Sequence, residues 1–421
     1  MRFLYTLAMY LVTPLMILRL LLRGGRSSSY RRRWRERFGS FESPGFQGSL
    51  WVHAVSVGEV NAAQPLIKAL RRDYPNAPVV LSTVTPTGAA RVQQLFGDSV
   101  FGVYLPYDLP FAVRRFLNKI RPRLALIVET EIWPNLYFAC HQRGIPLMIV
   151  NARLSERSLR GYKPLRALAR SALRCVHTIA AQSRRDAARY RLLGADPRQI
   201  VVTGNMKFDM QIPRNAVAEG AAMRHRWGLR RPVWIAASTH EGEEQAVLEA
   251  HLEVLKRLPD ALLLLAPRHP ERFRAVEHVV RDLGFKAGVH SVDEVPTLSH
   301  QVFVIDAMGQ LMPFFAAADL AFVGGSLVPI GGHNVLEPAA LCTPVLVGPY
   351  TFNFEEITLS LIQRGGAQRV ASGDQLGQVA LQLLLDPRKR GQMGQAAQQV
   401  FERERGAVRR ITRMVDVLLQ E

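Results

Sequence analysis

The sequence predicts two doubly wound α/β domains in tandem behind an amino-terminal membrane-anchor helix. Three observations carry this. Short β-rich apolar runs alternate with amphipathic stretches from residue 50 onward, the pattern of parallel strands covered on both faces. The rhythm stops near Asn205 and restarts at Val233, so it is present twice. Phe3 to Leu22 is an apolar run broken only by Thr6, Thr13, Pro14 and Arg19. The predicted boundaries are 1–24 for the anchor, 25–209 for the first domain and 210–421 for the second.

As a helix the apolar run measures about 30 Å, the thickness of a bilayer core. Arg19 sits near its carboxyl end, where a long side chain reaches the headgroups. Arginines 23, 26, 31, 32, 33, 35 and 37 follow, with the single acid Glu36. By the positive-inside rule this flank, and all that follows it, stays cytoplasmic. A secretory signal peptide is disfavoured, since no small-residue cleavage site follows the run. Trp34 among the arginines likewise suits an interfacial segment better than a mature secreted start, and a helix lying in the membrane interface is the other alternative to the anchor. The expected location is a membrane, with a single-pass anchor and the domains on the cytoplasmic side.

The first set of expected strands is Leu50–Ser56, Val79–Val84, Val100–Leu105, Leu124–Glu129, Ile145–Ala152, Thr178–Gln182 and Ile200–Gly204. The second is Val233–Ser238, Ala261–Ala266, Val302–Ile305, Leu320–Val323 and Pro344–Val347. Met210 to Arg231 is helical in character, and Gly391 to Leu419 reads as a long helix that can pack back across the first domain. In such sheets ligands bind at the carboxyl ends of the strands, here in a cleft between the domains.

A chain of 421 residues with 48% apolar content can bury two cores. Its formal net charge of +19 implies a polyanionic partner: nucleic acid, an anionic membrane or a phosphorylated substrate. The absence of an aromatic-basic RNA motif argues against nucleic acid. Cys140, Cys175 and Cys342 are odd in number and lack C-x-x-C spacing, so they read as unpaired thiols. Neither domain has G-x-G-x-x-G after its first strand, and there is no Walker A sequence. That removes most of the weight from dinucleotide and P-loop enzymes, and no cofactor is expected.

Chemistry gathers at the strand ends. The first strand runs out through His53 to Glu59, with Gly58 permitting a tight turn. Glu59 falls in a first helical turn, whose dipole is expected to keep it ionised. A helix-start acid and a cleft-facing base are both open at this point. Glu129 and Glu131 end a later strand together, and spacing does not say which faces the cleft. Lys207, at the hinge, is either an ammonium for an anionic group or a solvated lysine.

In the second half, Pro267 and Arg268 end a strand, and a guanidinium matches phosphate or carboxylate. Met308, Gly309 and Gln310 close the next run. Gly324-Gly325 and Gly331-Gly332 then precede Asn334, Val335, Leu336 and Glu337 at a helix start. Free backbone N–H groups there would hold a phosphate, and Glu337 would accept from ribose. Ser238 to Glu244 reads as an N-terminal cap. His269 and His333 lack a metal-binding pattern, and no metal is expected.

The ordered set Ser56–Glu59, Glu129–Asn135, Asn151–Ser155, Lys207–Asp209, Pro267–Arg272 and Gly331–Pro338 resembles the 3-deoxy-D-manno-oct-2-ulosonic acid (Kdo) transferase family of lipopolysaccharide assembly. Each word is weak singly, and their order along nearly the whole chain is specific. The resemblance implies a GT-B fold of two Rossmann-like domains, with acceptor on the first and nucleotide on the second. It implies inverting transfer of Kdo from CMP-Kdo to a lipid A precursor, with Glu59 as proton acceptor. Glu129 and Lys207 would stabilise the transition state, with Glu131 as a further candidate. Pro267, Arg268, Met308, Gly309, Gln310 and Asn334 to Glu337 would hold CMP. Gln310 departs from the glutamate expected in the family. A soluble UDP-sugar epimerase of similar fold is the main alternative, but it leaves the anchor unexplained. A non-enzymatic RNA- or membrane-binding protein would leave the strand-end carboxylates idle.

Overall fold

The computed structural model describes residues 1–26, 33–293 and 295–420. Arg31 and Arg32 of the basic flank, and the side chains of Arg23 and Arg26, lie outside the described residues. The chain divides into two compact units, Met1–Met210 with Glu404–Glu421, and Gln211–Arg403.

The first unit holds seven parallel strands: β1 Ser49–His53, β2 Val79–Thr83, β3 Phe101–Tyr104, β4 Pro122–Val128, β5 Leu147–Ala152, β6 Thr178–Ala181 and β7 Ile200–Val202. Their order is β3-β2-β1-β4-β5-β6-β7. The central strands β1, β2 and β5 are buried along their whole length, because helices cover both faces. The order reverses between β1 and β4, which pair in parallel from Leu50 opposite Leu124 to His53 opposite Ile127. Such a reversal opens a crevice at the carboxyl ends of the two strands.

The second unit holds β8 Val233–Thr239, β9 Leu262–Pro267, β10 Ala287–Val289, β11 Val302–Val304, β12 Leu320–Val323, β13 Val345–Val347 and β14 Ala367–Arg369. Their order is β10-β11-β9-β8-β12-β13-β14, reversing between β8 and β12. Five strands were expected here; β10 and β14 are additional. Each is a three-residue edge strand, Ala-Gly-Val and Ala-Gln-Arg, too short and too polar to show a period. The expected carboxyl-terminal helix is two helices, Pro387–Glu404 and Ala407–Gln420, because Gly406 breaks the run with a φ of 97°. The second of these packs Ile411, Val415 and Leu418 into the core of the first unit.

At the amino terminus, α1 (Arg2–Arg26) is long and apolar enough over Arg2–Leu22 to cross a membrane. One of its faces rests on the first unit, where Met9 packs with Leu109 and Ala112.

Candidate functional site

Each site is built at a sheet reversal. In the first unit β1 leads through Ala54 and Val55 into the helix Val57–Asp73, which carries Glu59 in its first turn. The Val55 N–H donates to Glu59 Oε2 at 2.7 Å and fixes the carboxylate beside the strand end. On the neighbouring strand, β4 ends at Val128 and the chain turns sharply at Glu129, whose φ is 63°. A left-handed glutamate costs roughly 1–3 kcal/mol, so the surrounding structure must impose it. It does so by several bonds. Glu129 N–H donates to the Val150 carbonyl at 3.0 Å. Tyr190 Oη donates to the Glu129 carbonyl at 3.1 Å, and the Tyr137 hydroxyl to that of Glu131. Trp133 Nε1 holds the Glu131 carboxylate at 2.8 Å.

Lys207 arrives from the far edge of the sheet. Asn151, buried with a φ of 52°, accepts the Met206 N–H at 2.9 Å. Asn205 accepts the Lys207 N–H at 3.0 Å, and its own amide donates to Gln182 at 3.0 Å. From the other side, Asp209 accepts the N–H groups of Gly406 and Val408 at 2.6 and 2.7 Å. The start of the last helix therefore clamps the lysine turn to the first unit.

The charges of these groups act on one another. Burial raises the Glu59 carboxyl to about 8, the Val55 N–H opposes this, and the Glu129 and Glu131 charges add to it. Burial also raises Glu131 to about 7, against the bond from Trp133 and with Glu129 adding. Burial lowers the Lys207 ammonium; Glu129 and Glu59 resist that, and Arg153 assists it. The expectation that the helix start keeps Glu59 ionised is therefore corrected. A favourable dipole near a helix end is worth about 0.3–1 kcal/mol at exposed positions, too little to offset burial beside two other carboxylates. Arg153, within the Asn151–Ser155 motif, acts on Lys207 through its charge, a relation legible only in three dimensions.

In the second unit, Arg268 follows β9, Met308 to Gln310 follow β11, and Asn334 to Glu337 follow β12. β9 and β12 flank β8 and β11 lies beyond β9, so all three segments emerge at the carboxyl end of the sheet around the reversal. The Arg268 backbone N–H donates to the Thr239 carbonyl at 3.0 Å, which fixes the chain beside the end of β8. Asn334 Nδ2 donates to Glu337 Oε1 at 3.0 Å. Burial raises Glu337, opposed by that bond and by the Arg268 charge. Gly309 has a φ of 77°, and the Gln310 amide oxygen lies 3.3 Å from His290 Nε2.

Two expectations here change. The first concerns the glycine pairs. Gly331 and Gly332 N–H both donate to the Gly325 carbonyl, at 3.0 and 2.7 Å. The Leu336 N–H donates to Asn334 Oδ1 at 3.2 Å, and the helix it opens, Leu336–Ala340, has only five residues. These three N–H groups are bonded inside the protein. The second concerns Ser238–Glu244. Ser238 is a bulge with a φ of 58°, and the helix begins only at Glu244. Glu243, fully buried, accepts from His240, Gly325, Ser326 and Leu327 N–H at 2.6–2.9 Å. A carboxylate from the chain itself fills the nest that the first glycine pair forms. His240 and His333 stack at 5.0 Å with their Nε2 atoms 2.7 Å apart, so at least one ring is neutral.

The family model described as 3-deoxy-D-manno-octulosonic-acid transferase (kdotransferase) matches residues 32–210. A 3-deoxy-D-manno-octulosonic acid transferase of Haemophilus influenzae is 41% identical over the whole chain and 99% of its own length. The chain belongs to the Kdo transferase family. A glycosyltransferase structure from Rickettsia africae aligns over 89% of the chain and all of its own, with a TM-score of 0.57 at 13% identity. The UDP-GlcNAc 2-epimerase of Neisseria meningitidis aligns over the same shares, with a TM-score of 0.58 at 17% identity. Both show the fold alone, which is of the GT-B type. The epimerase alternative is thereby reduced to a likeness of fold.

Proposed function

We propose that the chain transfers Kdo from CMP-Kdo to a hydroxyl of a lipid A precursor, with inversion and release of CMP. The observation that carries the mechanism is the gathering of Glu59, Glu129, Glu131 and Lys207 at the first sheet's reversal. A lipid hydroxyl is a weak nucleophile, so its proton must leave as the new bond forms. Glu59, with a carboxyl raised to about 8, is a stronger base than an exposed glutamate and still loses its proton within the working range. Such a group contributes about 10²–10⁴-fold. The oxygen attacks the anomeric carbon, the bond to CMP breaks, and the electron pair leaves on phosphate.

Glu129 and Lys207 stabilise the charge that develops during this exchange, negative and positive groups being fixed in place before the reaction. Glu131 assists them or orients the acceptor. In the second unit Arg268 binds the anionic part of the donor, with Pro267, Met308–Gln310 and Asn334–Glu337 around the nucleotide. α1 and the basic flank anchor the enzyme to the cytoplasmic face of the inner membrane, where an anionic lipid substrate lies. The net charge of +19 suits that surface.

Transfer of radiolabelled Kdo from CMP-Kdo to a lipid A precursor tests the proposal, with Glu59→Gln as the control. Absence of transfer by the wild type refutes the activity. Undiminished transfer by the Gln variant refutes the role of Glu59.

A further inference from the structure

α1 has two faces, and they are committed differently. At about 100° per residue, Arg2, Tyr5, Thr6, Met9, Thr13 and Met16 fall on one side. All six are partly or fully buried against the first unit. Phe3, Leu4, Leu7, Leu11, Leu15 and Leu18 fall on the opposite side and are 47–77% exposed. The docked side is tied by polar bonds. Arg2 Nε and Thr6 Oγ1 both donate to Asn135 Oδ1, at 3.2 and 3.0 Å. Tyr5 Oη donates to Asp108 Oδ2 at 2.9 Å. Asp108 and Asn135 are themselves buried, and the Asp108 carboxylate also accepts the N–H groups of Asn135 and Leu136.

A helix crossing a bilayer is lipid-facing or helix-facing all round. Here the body of the first unit lies along residues 2–16, about 21 Å of helix and most of a hydrocarbon core. Crossing would draw that body into the bilayer or break the ties to Asp108 and Asn135. Breaking them leaves a buried carboxylate and amide short of partners, at a cost of about 1–3 kcal/mol each.

The surface next to α1 suits an interface. Tyr10 stacks on Phe111 and Phe111 on Phe38, at 6.4 and 6.5 Å. Trp34 lies edge-on to Phe38 at 6.0 Å and is 43% exposed, between the exposed Arg33 and Arg35. An amphipathic aromatic flanked by arginines is a headgroup-level contact for an anionic leaflet.

We propose that α1 lies in the plane of the membrane, its outer face in the acyl boundary of one anionic leaflet, rather than crossing the bilayer. This rests on the membrane-bound function proposed above. It also ties lipid contact to chemistry. Asn135, which receives Arg2 and Thr6, ends the same segment that Glu129 begins, and Glu131 lies four residues before it. The helix in the membrane thus sets the height of the carboxylates above it.

Inverted inner-membrane vesicles from cells producing the full chain with an amino-terminal epitope provide the test. They carry the cytoplasmic face outward. An in-plane helix leaves the epitope open to added protease, whereas a crossing helix protects it until detergent is added. Protection overturns the in-plane placement while leaving the membrane-bound enzyme intact. Absence of the chain from the vesicles overturns the membrane-bound reading itself. In the same vesicles a Leu11→Cys thiol is expected to react about tenfold or more slowly with an impermeant maleimide than after detergent, because the outer face is in lipid. Equal reactivity overturns the proposal. So does an inter-chain disulfide at Leu11→Cys, which would mean that a second copy covers this face.

Discussion

At the reversal between β1 and β4, three glutamates and a lysine share half-buried space, and the carboxyl of Glu59 rises to about 8. At the reversal between β8 and β12, the buried Glu243 is consumed by four backbone N–H groups, Glu337 is held by the Asn334 amide and the Arg268 charge, and a cluster of histidines lies beside them. One topology has thus been given two electrostatic characters. An underpartnered carboxylate stores basicity and can take a proton from an acceptor. A saturated one stores only structure, and in the proposed function the recognition of the anion falls to Arg268. What decides is the number of donors each carboxylate meets, not its sequence position, since both Glu59 and Glu243 lie at the start of a helix after the first strand of their sheet.

The contrast can be broken by substitution. Glu59→Gln is expected to lower transfer about 10²–10⁴-fold while CMP affinity holds, as measured by turnover and by calorimetric titration with CMP. Glu243→Ala should do the reverse in kind. It strands four N–H groups in a buried loop and is expected to cost about 3 kcal/mol of stability, read as a lower urea midpoint. Arg268→Ala should weaken CMP binding about tenfold or more, the loss of a charged hydrogen bond, with little change in stability. Equal effects of Glu59→Gln and Arg268→Ala on CMP affinity would erase the proposed division between the units.

The smallest expected effect sharpens the comparison through pH. Glu59 binds its proton more tightly folded, at about 8, than at its ordinary value of 4.5. The stability that accompanies this proton is complete below about pH 4.5 and is lost as pH rises through about 8. Transfer has the opposite sign, since the base must be free, and rises through the same range. Unfolding midpoints from pH 5 to 9 should therefore fall more steeply in the wild type than in Glu59→Gln.

Much of this was legible from residues alone. All twelve expected strands are present, since continuous apolar runs such as Leu124–Val128 have few other ways to be buried. The strand-end carboxylates were equally visible, because polar groups interrupting such runs stand out. β10 and β14 were not, being edge strands held by pairing with a neighbour rather than by their own pattern. The role of Glu243 is hidden in the sequence because its partners Gly325 to Leu327 lie more than eighty residues away, in the loop that follows β12. Separations of 197 and 199 residues hide the service of Asp209 to the start of the last helix.

The sequence by itself determined the two α/β units, the apolar amino-terminal helix and, through its ordered motifs, the family. Periodicity and motif order are local properties, and local properties survive in one dimension. Only the tertiary structure decided the burial that raises the Glu59 carboxyl, the turn that carries Lys207, the filling of the glycine loop by Glu243 and the docking of one face of α1. Each depends on burial and on donors brought from distant parts of the chain, and those exist only once the strands are in their order.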